Sequence, residues 1–193
     1  MPLPNHRLII CGIPELSQHS LAGVSHVLSI IDTHEPRPPA LDEFYDVDHE
    51  LIRFDDVVAE HPGFEACTPN HIAKVLAFGE RAHGVPDSHV LVHCHAGVSR
   101  STASAALILA QARPDRPAHD ALEAVAQLRP RAWPNLRILE FGDELLSRNG
   151  EIVAAVAAIY RRVLDRDPQW QEAMIDGGRS REVRAALSPA DQR

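Results

Sequence analysis

The most reactive combination of residues in the chain lies in one short segment, His93-Cys94-His95-Ala96-Gly97-Val98-Ser99-Arg100-Ser101. Five residues separate its cysteine from its arginine. An apolar run typical of a buried strand, 90–92, leads into the segment, and an alanine-rich helix pattern, 101–112, follows it. The first N–H groups of a helix lack partners within that helix, and the helix dipole is positive there. A strand, a tight loop and a helix start therefore predict an anion-binding site.

Cys94 and Arg100 are the two residues that could act on a bound anion. A thiolate beside such a site is stabilised and becomes a good nucleophile. A guanidinium can donate to two oxygens of one phosphate at once, whereas an ammonium group cannot. The alternative roles are a buried, inert thiol for Cys94 and a surface position for Arg100. An unpaired cation is unfavourable at the positive end of a helix, so the pattern favours a site that binds and attacks an oxyanion.

The order of elements predicts how these residues are held. Alternating strand and helix patterns indicate an α/β fold with a central, mostly parallel sheet of about four to five strands flanked by helices. Ligands of such folds bind at the carboxyl ends of the strands, and Asp32, Asp55, Asp56 and Cys94 each follow a predicted strand. The strands are predicted at 8–11, 27–31, 51–54 and 90–93, and the helices at 15–22, 70–83, 101–112, 117–128, 134–147 and 151–165.

Composition narrows the class of protein further. We expect one domain over 1–166 and a C-terminal tail, 167–193, that is partly ordered. The net charge of −8 argues against a nucleic-acid partner. No stretch has the length or pattern of a membrane span or a signal peptide, and three cysteines without a CxxC pair favour a reducing compartment, so we expect a cytoplasmic protein. One lysine against 18 arginines, with abundant alanine, suggests a bacterial source.

The string His-Cys-x-x-Gly-x-Ser-Arg-Ser resembles the phosphate-binding loop of the cysteine-based protein tyrosine phosphatases, and within them the dual-specificity branch. Residues 51–56 are similar to the strand that delivers the family's general-acid aspartate. Pro134-Asn135 is similar to an element that follows the loop in this family. The resemblance covers roughly residues 50–147. It implies a three-layer α/β sandwich and a phosphomonoester hydrolase without a cofactor or metal.

The resemblance also implies a role for each residue. Cys94 would form a cysteinyl-phosphate, Arg100 would hold the phosphate oxygens, and Ser101 would help the sulfur to leave. Asp56 would be the general acid, with its neighbour Asp55 as the alternative. The substrate would be a phosphorylated protein or a small phosphomonoester. The remaining loop residues would surround the phosphate: His95, Ala96, Gly97, Val98 and Ser99. Two residues outside this group, His93 and Asn135, would support the loop.

Other interpretations stay open at this point. The same fold could serve as a catalytically idle phospho-binding module, and a cysteine loop at a helix start is also used in sulfur transfer. His93, Cys94 and His95 could ligate a metal, although neighbours on a strand point to different sides. Asp32 is expected to close a turn. Cys11 and Cys67 are either buried thiols or disulfide partners of Cys94, and Trp133 lines either the pocket or the core. The sequence does not indicate which oligomeric state the protein has.

Overall fold

The computed structural model describes residues 7–188, and its centre is a four-stranded sheet. The strands are β1 (Arg7–Gly12), β2 (His26–Ile31), β3 (Asp48–Arg53) and β4 (His89–Cys94). Their order across the sheet is β1-β4-β2-β3, and every neighbouring pair is parallel. The predicted α/β fold with a parallel sheet is confirmed.

The two central strands are apolar runs because both faces of the sheet are covered. All six residues of β4 are buried, as are all six of β2. Successive side chains of a strand point to opposite faces. Val90 and Val92 accordingly join the large apolar cluster on the helical side, and Leu91 joins a smaller cluster on the other side.

Seven α-helices lie in the described residues, on one side of the sheet. The first, third and fourth pack on the buried second helix, the fifth packs on the third and fourth, and the last two pack on the fifth. The opposite face is covered by two short 3-10 helices, Ile13–His19 and Pro39–Glu43, so the molecule has three layers. The first of these corresponds to the helix predicted at 15–22. The α-helices are α1 (Pro69–His83), α2 (Arg100–Ala112), α3 (Ala118–Leu128), α4 (Leu136–Leu145), α5 (Glu151–Arg166), α6 (Gln169–Asp176) and α7 (Ser180–Leu187).

The segment after α5 belongs to the tail that was expected, over 167–193, to be partly ordered. It forms α6 and α7, and the latter packs on α5 through Val183 and Ala186, which are buried. The apolar pattern that would predict these helices is weak in the sequence, because two of the buried residues here, Arg179 and Glu182, are charged and pair with each other. Residues 189–193 of the predicted tail lie outside the described residues.

The candidate site lies at the carboxyl end of the sheet. Cys94 ends β4, and the loop that follows enters α2 at Arg100. Asp32 follows β2, the strand beside β4, and Asp55 and Asp56 follow β3. Among residues 7–188 no helix has the length and apolarity needed to cross a bilayer.

Candidate active site

The loop between β4 and α2 lies tightly against the end of β1. Gly97 has φ +70°, and a Cβ at this position would come within 2.5 Å of the Cys11 carbonyl carbon. A Cβ at Gly12 would lie 2.9 Å from the His95 carbonyl oxygen. A side chain at either position would push the loop away from β1, which explains glycine at both.

The carbonyl oxygens of the loop all face protein donors. Each carbonyl from 95 to 99 accepts at least one hydrogen bond from outside the loop. The donors come from the 3-10 helix after β1, from the segment after α3, and from α2. They are Ile13 N–H to His95 (2.9 Å), the Arg129 guanidinium to Ala96 and Gly97 (3.2 and 3.1 Å), Trp133 N–H to Val98 (2.9 Å), and Ala103 N–H to Ser99 (3.0 Å).

This arrangement fixes the direction of the loop's N–H groups. In a trans peptide the N–H points opposite to the carbonyl of the preceding residue, and the described chain has no cis peptide. The N–H groups of residues 96–100 therefore point away from the outer donors and converge on the inner side of the loop. Together with the N-terminus of α2 they form a concave anion-binding nest.

The proposed nucleophile lies at the base of this nest. Cys94 is 2 % exposed, and its Sγ is 3.2 Å from the Ser101 Oγ. Ser101 is fully buried, and this sulfur is the only hydrogen-bond partner of its hydroxyl within residues 7–188. The hydroxyl can therefore donate to a thiolate. Ser99 makes no side-chain cap on α2, so neither serine serves as a simple helix cap.

Arg100 is held so that part of its guanidinium stays available. The side chain is 2 % exposed, Nη1 donates to the Phe54 carbonyl oxygen at 2.7 Å, and Nη1 lies 2.5 Å from the Asp32 Oδ1. Its buried Nε has no hydrogen-bond partner in the described part of the chain. A buried, unpaired donor of a cation is unfavourable without an anion, so this atom is free to pair with an anion bound in the nest.

Asp32 was expected only to close a turn, although it follows a predicted strand like the other candidates, and the structure places its carboxylate beside Arg100. Its backbone carbonyl accepts from the Glu35 N–H at 3.1 Å, so the residue does close a turn, as expected. Its carboxylate also reaches Arg100 and lies 4.0 Å from the Nδ1 of His95, which is exposed at the rim. The available signal was its place at the end of the strand that neighbours β4.

The two candidate acids have different surroundings. Asp55 accepts from the backbone N–H of Glu65 at 2.6 Å and of Thr33 at 3.4 Å, so it organises the turn after β3. Asp56 faces the catalytic loop, where its Oδ1 accepts from the Ser99 hydroxyl at 2.8 Å. This geometry favours Asp56 over Asp55.

Asn135 connects the acid to the helical layer. Its Oδ1 caps α4 by accepting from the Ile138 N–H at 3.2 Å, and its Nδ2 donates to the Asp56 Oδ1 at 2.8 Å. Its own N–H reaches the Ser99 carbonyl at 3.4 Å. Asn135 therefore contacts Asp56 and the loop while it caps the helix, and α4 starts at Leu136 rather than at 134 because Asn135 is the cap.

His93 supports the loop from within the sheet. Its Nε2 is 2.6 Å from the Ser29 Oγ, which is in turn 2.8 Å from the His49 Nε2 on β3. Burial lowers the pKa of His93 to about 4, so the ring is neutral at physiological pH. A neutral ring in a hydrogen-bonded chain orients the end of β4.

The other two cysteines and Trp133 belong to the core. Burial raises the pKa of Cys11 and of Cys67 to about 12, and both are free thiols. Cys11 pairs in register with His93 and packs in the apolar cluster on the 3-10 side. Trp133 is 1 % exposed and stacks on Tyr160, with ring centroids 4.6 Å apart.

Comparison with solved structures identifies the fold. Human DUSP28 superposes with a TM-score of 0.55 at 20 % identity, over 75 % of this chain and 96 % of that one. DUSP15 gives 0.51 at 24 % identity over 85 % and 93 %, and Tk-PTP in its active form gives 0.52 at 24 % over 74 % and 92 %. The chain has the dual-specificity phosphatase fold. No family model and no curated protein sequence matches it.

This phosphatase fold accounts for most, but not all, of the chain. DUSP28 is matched over nearly its full length, while a quarter of the present chain lies outside that match. Within the described residues, no group of three or more His, Cys, Asp or Glu side chains is arranged to hold a metal ion.

Proposed function

We propose that the protein is a phosphomonoester hydrolase of the protein tyrosine and dual-specificity type. The observation that carries the proposal is the joint geometry of Cys94, Ser101 and Arg100. A buried sulfur lies 3.2 Å from a hydroxyl, inside a loop whose N–H groups converge, beside a guanidinium with an unpartnered Nε. These are the groups that phosphoryl transfer to a thiolate requires.

In the first step the Cys94 thiolate attacks phosphorus, a P–S bond forms and the P–O ester bond breaks. The departing oxygen takes a proton from Asp56, the general acid. Arg100 and the loop N–H groups stabilise the charge on the three equatorial oxygens. The products of this step are the free alcohol or phenol and a cysteinyl-phosphate.

In the second step water attacks the cysteinyl-phosphate. Asp56, now a carboxylate, accepts the water's proton, the P–O bond forms and the P–S bond breaks. The sulfur leaves as a thiolate, and the Ser101 hydroxyl donates to it. Inorganic phosphate is released and the thiolate is regenerated.

A phosphorylated protein is the substrate we favour. A groove of about 490 Å³ borders the loop at Ala96 and Val98, on the side of Arg129 and outside the anion-binding nest, and it offers a surface to parts of a polypeptide substrate away from the phosphate. The groove is also lined by Leu128, Arg129, Pro130, Arg131 and Trp170.

The three free thiols fit a reducing compartment, so we propose that the protein is cytoplasmic.

A small phosphomonoester is the second candidate. PTPMT1, which shares the fold with a TM-score of 0.52 at 18 % identity, has been solved in complex with PI(5)P. The loop of the present chain contains no lysine, and His95 is its one basic residue besides Arg100. Comparing kcat/KM for a tyrosine phosphopeptide and for PI(5)P decides between the two candidates. A protein phosphatase prefers the phosphopeptide.

The experiment that tests the function is hydrolysis of p-nitrophenyl phosphate by the wild type and by Cys94→Ser. We expect activity in the wild type and none in the variant. Cys67→Ser is the matched control, because Cys67 is also buried and free but contacts no loop residue. Equal turnover by the wild type and Cys94→Ser would exclude the thiolate mechanism. A folded wild type that binds phosphate without turnover would indicate an idle phospho-binding module.

A further inference from the structure

An arginine from the C-terminal helices reaches the candidate acid. Arg179 precedes α7 and is 8 % exposed. Its Nη1 lies 3.1 Å from the Asp56 Oδ1, and its Nη2 donates to the Ser99 Oγ at 2.9 Å. One side chain thus contacts both the acid and the catalytic loop, from a position 123 residues beyond the acid.

The guanidinium is fixed from behind by Glu182. Arg179 Nε and Nη2 donate to the two carboxylate oxygens at 2.7 and 2.9 Å. Glu182 is fully buried and also accepts from Trp133 Nε1 at 2.6 Å and from the Leu136 N–H at 2.9 Å. A bidentate pair anchored by two further donors leaves the arginine little freedom.

We propose that Arg179 is a positioning residue, which holds the Asp56 carboxylate in place against Ser99 and so makes α7 part of the catalytic apparatus. The inference rests on the proposed function. Arg179 acts through Asp56, because the hydrogen bonds of its guanidinium within the described residues go to Asp56, Ser99 and Glu182 and none goes to Cys94 or Arg100.

The charges around Asp56 give this role a measurable consequence. Two cations face the carboxylate, Arg179 from α7 and Arg100 from α2, and it accepts hydrogen bonds from Asn135 and Ser99. Burial raises the pKa of Asp56, but the two arginines and the two donors together hold it below its ordinary value. The first step needs the protonated acid, so the arginine places the alkaline limb of the kcat profile at low pH.

Removing the arginine's charge should move that limb. In Arg179→Gln we expect the alkaline limb of kcat for phenyl phosphate to shift upward by about one pH unit or more. Phenyl phosphate is the probe because its poor leaving group depends on the general acid. Arg184→Gln removes the same charge from an exposed position of α7 and should leave the limb unchanged. An unchanged limb in a folded Arg179→Gln would overturn the proposal.

A double-mutant cycle separates positioning from a general structural effect. In an Asp56→Asn background, Arg179→Gln should change kcat by less than about twofold, because the residue it acts through is gone. An equal loss of kcat in both backgrounds would show a merely structural role and refute the proposal. If Arg179→Gln fails to fold, Arg179→Lys enters the same cycle with the same expected non-additivity.

Failure of the proposed function has a different signature. The p-nitrophenyl phosphate assay, which is done first, would then show no turnover by the wild type, or turnover that persists in Cys94→Ser. The arginine variants are interpreted only where Cys94 is required, so an unshifted limb then counts against Arg179 alone.

Discussion

Replacing Ser101 by alanine tests the second half of the catalytic cycle. The Ser101 hydroxyl is 3.2 Å from the Cys94 sulfur and has no other hydrogen-bond partner in residues 7–188. In the cysteinyl-phosphate the sulfur carries little charge, but as it leaves it becomes a buried thiolate. In the first step the hydrogen bond is strongest to the starting thiolate and weakens as charge leaves the sulfur, so it gives that transition state no extra stabilisation, whereas in the second step it strengthens as the thiolate forms.

The size of the effect follows from this contact. A hydrogen bond to a charged group contributes about 1.5–3 kcal/mol. Each 1.36 kcal/mol corresponds to a factor of ten in rate, so hydrolysis of the intermediate should slow by about 10- to 150-fold. Formation of the intermediate should be nearly unchanged.

A stopped-flow assay with p-nitrophenyl phosphate shows the separation directly. Ser101→Ala should release close to one equivalent of nitrophenol per enzyme in a burst, followed by slow turnover. Ser104→Ala is the matched control, because Ser104 is also buried in α2 but its Oγ has no hydrogen-bond partner among the described residues. The control should turn over like the wild type. A Ser101→Ala variant that shows no burst, with the first step slowed instead, would refute the assigned role.

Three further predictions concern stability and the loop. Gly97→Ala places a Cβ 2.5 Å from the Cys11 backbone at φ +70°, so we expect loss of phosphate binding by calorimetry and a lower melting temperature; wild-type binding would contradict the close approach. Glu182→Ala removes the bidentate partner of the buried Arg179, which keeps only Asp56, and leaves the Trp133 and Leu136 donors unpaired; it should cost about 3–5 kcal/mol of unfolding free energy in urea, whereas a loss below about 1 kcal/mol would contradict the pairing. Burial lowers the pKa of His93 to about 4 in the folded protein, below its value of about 6.5 in the unfolded chain, so folding stability is lost as the pH falls from about 6.5 to 4. Over that pH range His93→Gln should lose about 3 kcal/mol less unfolding free energy than the wild type, and an identical pH dependence of the two proteins would contradict this.

The catalytic loop could be predicted from sequence because its parts are contiguous. The segment from Cys94 to Ser101 holds the proposed nucleophile, anion site and arginine within eight residues, and strand and helix patterns lie on either side of it. The four parallel strands were equally visible, since β2 and β4 contain the apolar stretches Val27-Leu28 with Ile30-Ile31, and Val90-Leu91-Val92.

The remainder depends on contacts between distant parts of the chain. Asp32 meets Arg100 only because β2 and β4 are neighbours in the sheet, although β3 and α1 separate them in sequence. The choice between Asp55 and Asp56 depends on which carboxylate turns toward Ser99. Arg179 lies in a segment whose polar composition suggests a loose tail, and its burial is intelligible only with Glu182 and Asp56 in place.

The central claim is that Cys94 becomes covalently phosphorylated during turnover. The direct measurement is mass spectrometry of peptides from enzyme quenched in acid during hydrolysis of p-nitrophenyl phosphate, with Ser101→Ala used to accumulate the intermediate. We predict that the peptide containing Cys94 gains the mass of one phosphoryl group, and that the peptides containing Cys11 and Cys67 do not. Turnover with an unmodified Cys94 peptide, or with the phosphoryl group on another residue, would contradict the mechanism.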